Sequence, residues 1–289
     1  MKRQGWINIL SICIIILSGI ASLIGILSSD GNGQYQYESI RGNSITIYGR
    51  GIYKHMSAEV APQGIAQDVI TLFLAIPLLL ISLLLTSKKS VRGRFLLAGT
   101  LGYFLVTYLF YTTMGMYNYL FLVYVGLLAC SFFAFLLTLF EFDLSSIKSH
   151  FKSNTPVKFT GGFLIFNSIA IAFLWLSIVV SPLLDGSIYP VQLEHYTTLI
   201  VQGLDLGLLL PSAFVIGIML IKEKGFGYLF GPIYFVFLSI LMTALVAKLI
   251  GMSIVGANVF PAIIIIPLID IVSIGCTISL IRPIIKLYK

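Results

Sequence analysis

Charged residues are scarce in this chain of 289 residues. Only 10% of its residues are Asp, Glu, Lys or Arg, whereas 58% are hydrophobic and the mean hydropathy is +1.02. A soluble globular domain carries about 25% charged residues, so this composition excludes an ordinary soluble protein. Apolar runs of about 20 residues recur along the chain, and a helix of that length crosses a bilayer. The sequence therefore predicts an all-α integral membrane protein embedded in the lipid bilayer.

Cysteine and the common catalytic motifs are also scarce or absent. The three cysteines, Cys13, Cys130 and Cys276, each lie in a different apolar run, and none belongs to a CxxC pair. A disulfide framework and a thiolate metal site are therefore not predicted. The chain has no GxSxG elbow, no P-loop and no HExxH signature, so motifs assign no cofactor, no metal and no catalytic residue.

Basic residues outnumber acidic ones by 18 to 11, which gives a net charge of +7. When they are assigned to the loops between the apolar runs, fourteen fall on one side of the membrane and four on the other. The fourteen are Lys2, Arg3, Lys88, Lys89, Arg92, Arg94, Lys148, Lys152, Lys158, Lys222, Lys224, Arg282, Lys286 and Lys289. The four are Arg41, Arg50, Lys54 and Lys248. This asymmetry is the positive-inside pattern, so it predicts a multi-pass plasma-membrane protein with both termini cytoplasmic and no nucleic-acid partner.

Eight apolar segments predict eight transmembrane helices. They cover approximately residues 7–27, 68–86, 95–113, 119–140, 159–181, 199–221, 228–247 and 261–281. The first is interpreted as a retained signal-anchor helix, because its apolar centre is longer than that of a cleaved signal peptide. Residues 29–66 form the longest polar segment, on the outer side. Within it, β-prone residues 44–48 and 52–55 flank Gly49-Arg50-Gly51, which predicts a small outer β-hairpin between helices 1 and 2.

The two halves of the chain are predicted to be parallel repeats of four helices, an architecture known in transporters. Residues 1–140 form the N-terminal half, residues 141–158 a cytoplasmic linker and residues 159–289 the C-terminal half. Aligning Pro77 with Pro211 also aligns Lys88 with Lys222, because both intervals are 11 residues. A chance similarity of membrane-helix composition is the alternative.

Three acidic residues are candidate functional groups. Asp205 precedes Lys222 by 17 residues, which places it roughly 26 Å from the inner boundary. Asp270 precedes Arg282 by 12 residues, or roughly 18 Å, near the middle of the membrane. Charges at such depths indicate function by default, and hydrogen-bonded packing is the alternative. Asp68 lies at the predicted start of its helix, where capping the free N–H groups is the favoured interpretation.

Polar residues recur at helical spacing beside these acids. The candidate residues for binding a small solute or cation are Asp205, Gln202, Asp270, Ser273, Thr277, Asp68, Thr71 and Ser212. A GxxxG pair, Gly203 and Gly207, lies on nearly the opposite side of the Asp205 helix and predicts close helix packing there. On the third helix, a comparable polar stripe consists of Thr100, Tyr103, Thr107 and Tyr111. Polar faces on several helices must face one another or water, although tight polar packing without a cavity would also account for them.

Transport of a small solute or ion with intramembrane carboxylates is the function that these features favour most. One alternative is a non-catalytic sensor, assembly factor or partner-binding subunit that uses the outer segment 29–66. A second is a membrane-embedded enzyme acting on lipid, with Asp68, Glu194, His195 and Asp205 near the headgroups.

Overall fold

The computed structural model describes residues 3–285, in which eight helices are long and apolar enough to span a membrane. They are α1 (Arg3–Leu27), α2 (Ala61–Ser87), α3 (Val91–Thr113), α4 (Phe121–Leu139), α5 (Val157–Val179), α6 (Ile200–Ile221), α7 (Gly225–Ile254) and α8 (Ala262–Ile281). The prediction of an all-α protein with eight membrane spans is therefore confirmed. Lys2, Lys286 and Lys289, which the charge asymmetry assigns to the inner side, lie outside the described residues.

Helices α2 and α7 exceed their predicted lengths the most, and both differences affect acidic or basic candidates. Helix α2 begins at Ala61, so Asp68 lies about two turns inside the helix and its interpretation as a cap is wrong. Pro62 in the first turn suits a helix start, because its missing N–H has no helical partner there. Helix α7 continues to Ile254, so the assignment of Lys248 to an outer loop is also wrong. Apart from Lys248, the residues that extend α7 beyond its predicted bounds carry no charge and are compatible with a membrane helix.

The outer segment forms a two-stranded antiparallel sheet. Strand β1 (Tyr35–Glu38) pairs with β2 (Ser44–Ile47), and Tyr35 lies opposite Ile47. The predicted strand at 44–48 is thus present, whereas the predicted strand at 52–55 is wrong. Its true partner precedes it, across a turn at residues 39–43.

Gly49 and Gly51 allow close backbone approach instead of a hairpin turn. Their φ angles are +71° and +58°, which favour glycine. A Cβ at Gly49 would collide with the carbonyl of Gly33, and one at Gly51 would collide with the carbonyl of Ser28. The chain then forms a single 3₁₀ turn, Gly51–Tyr53, which leads towards the ends of α1 and α2.

The outer segment is joined to the loop between α5 and α6. The Arg41 guanidinium donates to the carbonyl of Glu194 at 3.3 Å, and the Tyr189 hydroxyl donates to the carbonyl of Arg41 at 3.0 Å. The backbone N–H of Ser57 donates to the hydroxyl of Tyr196 at 3.2 Å. Both segments therefore lie at the same end of the helical bundle and form one layer there.

Helices α2 and α6 share an uncommon irregularity. Each contains a π-helical turn, Thr71–Ala75 in α2 and Asp205–Leu209 in α6, and each turn is followed closely by a proline. The two turns lie 134 residues apart (71 to 205), as do the helix ends at Ser87 and Ile221. A single offset for both features is what an internal repeat would produce.

The turn after each of these helices recurs at the same offset. Lys89 and Glu223 have unusual positive φ angles of 56° and 50°. Gly93 and Gly227 then allow the next helix to cross the end of the preceding one. A Cβ at either glycine would lie under 3 Å from atoms of that preceding helix. These features favour a repeat, and the division into two domains stays a prediction.

The two halves differ in how they close. In the first half, α1 packs against α2 and α4, and α3 also packs against α2 and α4, so the four helices form a closed ring. In the second half, α5 packs against α6, α6 against α7 and α7 against α8, but α5 and α8 do not pack against each other along their described lengths. Helix α7 joins the halves, because it packs against both α2 and α3.

Candidate functional site

Asp68 lies in an enclosed polar site between α2, α3 and the outer segment. Only 2% of the surface of Asp68 is exposed. The Tyr53 hydroxyl donates to Asp68 Oδ2 at 2.5 Å, and the Tyr111 hydroxyl donates to Oδ1 at 3.0 Å. Hydrogen bonds donated to an ionised carboxylate are stronger than those between neutral groups. Asp68 is therefore a buried group held by two tyrosines from different parts of the chain.

Two glycines make room for this site. A Cβ at Gly25 of α1 would overlap the Asp68 carboxylate, and a Cβ at Gly64 of α2 would lie 2.7 Å from the Tyr53 ring. Tyr53 itself comes from the 3₁₀ turn outside the membrane helices. Burial and the nearby charge of Asp68 raise the pKa of Tyr53 well above its usual value, so its hydroxyl remains a proton donor. The outer segment thus inserts a side chain that covers the carboxylate.

A second polar group adjoins Asp68 on the facing helix surfaces. The Gln67 amide Nε2 donates to the Tyr103 hydroxyl at 2.7 Å and to Thr107 Oγ1 at 3.2 Å. The Thr71 and Tyr103 hydroxyls are 3.0 Å apart and hydrogen bonded. The buried Oε1 of Gln67 has no hydrogen-bond partner among residues 3–285. The polar faces that helical spacing predicts on α2 and α3 therefore meet each other, one turn from the carboxylate.

Asp205 has a more open environment than Asp68. It is the first residue of the π-helical turn in α6, and its side chain is partly exposed. The indole Nε1 of Trp175, on α5, donates to Asp205 Oδ2 at 2.8 Å. Gln202 and Ser212, the other candidates on this helix, are also partly exposed. The π-helical turn displaces the backbone at the carboxylate itself, and such turns are frequent at functional sites.

Lys248 is the charged residue that sequence reasoning missed at this site. It lies on α7 and interacts electrostatically with both Asp205 and Asp68, although it forms no ion pair within 4.0 Å with either. The contact of α7 with α2 brings this lysine of the second half towards the acid of the first half. The available signal was the apolar character of the residues on both sides of Lys248, since an intramembrane lysine indicates function by default.

Asp270 belongs to a separate polar contact between α7 and α8. Both of its carboxylate oxygens lie 3.2–3.3 Å from the Thr243 hydroxyl. Ser273 donates to a carbonyl of its own helix at 2.8 Å, and Thr277 bonds to the Ser239 hydroxyl at 2.8 Å. The hydroxyls therefore do not line up on the carboxylate, and Asp270 is hydrogen bonded to the neighbouring helix, as in the packing alternative.

The predicted close packing at Gly203 and Gly207 is wrong. Both glycines are exposed, and a Cβ at either would meet nothing within 4 Å. The close approach occurs instead between Gly161 of α5 and Gly217 of α6, where a Cβ on each would lie 2.6–2.7 Å from the carbonyl oxygen of the other. A GxxxG spacing identifies a smooth helix surface but does not specify whether lipid or another helix covers it.

The outer histidines and glutamates do not join the membrane acids. His195 Nε2 lies 3.1 Å from the carbonyl oxygen of His55, and the side chain of Glu194 is near Ser57. Burial raises the pKa of Glu194 above its usual value. Within the described range 3–285, no group of three or more His, Cys, Asp or Glu residues is placed to hold a metal ion. These residues connect the outer segment to the outer loop.

The structure thus brings two of the predicted acids, Asp68 and Asp205, into the field of one lysine, and it keeps Asp270 apart. Of the smaller candidates, Thr71 adjoins Asp68 through the Tyr103 network. Comparisons of the chain with protein-family models, with curated proteins and with solved structures found no match.

Proposed function

We propose that the protein transports a small solute or ion, and that Asp68, Lys248 and Asp205 form its charge-binding centre. The observation that carries this proposal is the position of Lys248, which interacts with both carboxylates and is tightly paired with neither. With all three side chains ionised, the centre has a net charge of −1. A net charge is costly in a membrane interior. One proton or one monovalent cation would neutralise it.

The position of the centre between the halves supports transport. Asp68 belongs to the first four helices, whereas Asp205 and Lys248 belong to the last four. In transporters built from repeats, coupling sites lie at the repeat interface and involve interrupted helices. Here the carboxylates lie on α2 and α6, which are the helices interrupted by π-helical turns.

The lysine provides a means of coupling. Its side chain is long and flexible, so it can approach one carboxylate while the other binds a cation. Asp68 already receives hydrogen bonds from Tyr53 and Tyr111. Asp205 receives one from Trp175 and is partly exposed, so it is the acid that exchanges its cation more readily.

We also propose that the protein lies in a plasma membrane with both termini cytoplasmic. The turns after α2 and α6 and the segment between α4 and α5 lie at the end of the bundle opposite the β-sheet. Together with the helix ends beside them, this end carries most of the described basic residues. The positive-inside rule places that end in the cytoplasm.

Flux into liposomes tests the proposed transport. Purified protein would be reconstituted into vesicles, and a potassium diffusion potential would drive cations inward. A pH-sensitive dye inside the vesicles would report proton entry, and radiolabelled tracers would report the entry of the other cations. Protons, sodium and small organic ammonium ions would be offered in turn. We expect entry of at least one cation above the protein-free rate, and a reduction of at least about tenfold in Asp205→Asn and in Lys248→Met, since each removes a charge from a low-dielectric site.

Asp270→Asn is the matched control, because Asp270 is a membrane acid outside the centre. This variant is expected to retain at least half of the flux. Protein-free rates for every cation would contradict the proposal, and so would an equal loss in all three variants. Unfolding curves of the purified variants would show that the effect is not a loss of fold.

The outer surface favours a partner-binding role as the second candidate. Ile40, Ile188 and Val191 are 88%, 92% and 84% exposed, and they lie on the two joined outer segments. Apolar side chains this exposed on a polar layer are typical of contact surfaces. Replacing all three by serine tests this role. Loss of a co-purifying protein with an unchanged unfolding midpoint would support it, and unchanged recovery would count against it.

A further inference from the structure

A cavity of about 410 Å³ opens at the inner end of α8, against the segment that joins α4 and α5. Its lining includes Lys152, Asn154, Gly275, Ile278, Ser279 and Arg282. Gly275 precedes Arg282 by seven residues, so it lies roughly 10 Å farther along the helix, towards the membrane interior. The cavity therefore leads from a basic mouth to an apolar helix surface.

The mouth has an excess of positive charge. Lys152 and Arg282 are exposed, and neither forms an ion pair within 4.0 Å with another described residue. A neighbouring cavity of about 530 Å³ shares Lys152 and adds Lys158. Its one acid, Glu223, is compensated by Lys148 at 2.8 Å. An anion with a phosphate-like charge would complement this surface.

The apolar surface above the mouth lacks a covering helix. Helices α5 and α8 do not pack against each other, whereas their counterparts α1 and α4 do. Phe159 and Phe166 of α5 and Ile271 and Ile278 of α8 are exposed along this side of the bundle. Large apolar groups of both helices are therefore left uncovered by protein.

We propose that an anionic phospholipid occupies this place, with its phosphate at Lys152 and Arg282 and an acyl chain along α8 past Gly275. Basic pockets between membrane helices on the cytoplasmic side suit anionic headgroups, because the charge is attracted while the chains remain in hydrocarbon. The lipid would cover the open side of the second half. In the first half, the contact between α1 and α4 closes the corresponding side. This site is independent of the proposed transport centre.

Lipid retention tests the headgroup contact. The full-length protein would be exchanged into mixed micelles of detergent with phosphatidylglycerol or phosphatidylcholine, and bound lipid would be counted by native mass spectrometry. We expect selective retention of phosphatidylglycerol, reduced at least about fivefold in the double variant Lys152→Gln/Arg282→Gln. Lys88→Gln/Lys89→Gln removes two basic residues from the inner end of α2 and is expected to retain the lipid.

Filling the cavity tests the acyl-chain path separately. A Cβ at Gly275 would meet nothing within 4 Å, so Gly275→Phe fits the fold and obstructs the cavity. Gly126→Phe, at an equally open position on α4, is the matched control. We expect loss of bound phosphatidylglycerol only in Gly275→Phe.

Three results would overturn the proposal. They are equal retention of the two lipids, competition by inorganic phosphate as strong as that by phosphatidylglycerol, and a dimer that persists without lipid and is disrupted by Gly275→Phe. The second would indicate a soluble anion site, and the third a second copy of the chain on this surface.

Discussion

The first and last four helices share several features at an offset of 134 residues, but their interiors differ. Tyr103 and Tyr111 provide hydroxyls to the interior of the first half. At an offset of 134 residues the second half has Phe237 and Leu245, which carry no polar side-chain group. The first half therefore encloses the carboxylate of Asp68, whereas Asp205 of the second half is partly exposed.

This difference indicates a division of roles between the halves. A closed ring that contains buried hydrogen bonds resists rearrangement, because separating its helices would expose those hydrogen-bonding groups to lipid. The open half has fewer such constraints, and its Asp205 receives a hydrogen bond from a single indole. Lys248 belongs to the open half and interacts with the acid of the closed half, so a movement of α7 would change the charge balance at both.

The largest expected effect comes from filling the glycine beside the enclosed carboxylate. A side chain at Gly25 cannot coexist with Asp68 in its present position, so Gly25→Leu must separate the carboxylate from its tyrosine donors. We expect the free energy of unfolding to fall by at least about 3 kcal/mol. Reversible unfolding in detergent with increasing dodecyl sulfate measures it.

Gly162→Leu is the control on α5, the counterpart of α1. A Cβ at Gly162 meets nothing within 4 Å, so we expect no loss of stability and a gain of up to about 1 kcal/mol from the better helix former. If both variants lost a similar amount of unfolding free energy, the enclosure of Asp68 would not distinguish the first half from the second.

Removing the donors of the two carboxylates should give a smaller difference. Tyr53→Phe deletes a hydrogen bond to fully buried Asp68 and is expected to reduce stability by about 2 kcal/mol. Trp175→Phe deletes the indole bond to partly exposed Asp205, where water can replace the donor, and about 0.6 kcal/mol is expected. The same unfolding assay compares them. A larger loss for Trp175→Phe would reverse the assignment of the enclosed acid.

Two neutral tyrosines extend the comparison to groups without charge. The Tyr103 hydroxyl bonds to Gln67 and Thr71, whereas the Tyr234 hydroxyl donates once, to the carbonyl of Leu209 at 3.0 Å. Tyr103→Phe is expected to cost about 1.5 kcal/mol and Tyr234→Phe about 0.6 kcal/mol, since membrane hydrogen bonds average near the smaller value. Equal unfolding midpoints would show that the Gln67 network adds nothing to a single bond.

The sequence predicts the helices well, because a bilayer demands about 20 apolar residues and such runs are conspicuous. It also predicts that Thr71 and Tyr103 lie on interior faces, since helical spacing places them in polar stripes. The start of α2 was less predictable, because Pro62 and Gly64 resemble loop residues although both fit a first helical turn.

The site itself depends on contacts that no local pattern encodes. Tyr53 reaches Asp68 only because the outer segment folds back over the bundle, and its position in a loop carries no sign of this. Lys248 acquires its two acidic neighbours from different helices. Intramembrane charge identifies the candidates, but tertiary packing decides which of them meet.

Two glycines on opposite sides of α6 are expected to give effects of opposite sign. Gly203 of α6 is exposed, so Gly203→Ala introduces a better helix former without a collision, and we expect stability to rise by up to about 1 kcal/mol. Gly217→Ala on the same helix places a Cβ 2.7 Å from the carbonyl oxygen of Gly161, and a loss of about 1–3 kcal/mol is expected. The opposite signs follow from one helix having a lipid-covered side and a packed side. If Gly203→Ala destabilised the protein in the unfolding assay as much as Gly217→Ala, a further element would have to cover Gly203, and the second half would be more closed than its helices indicate.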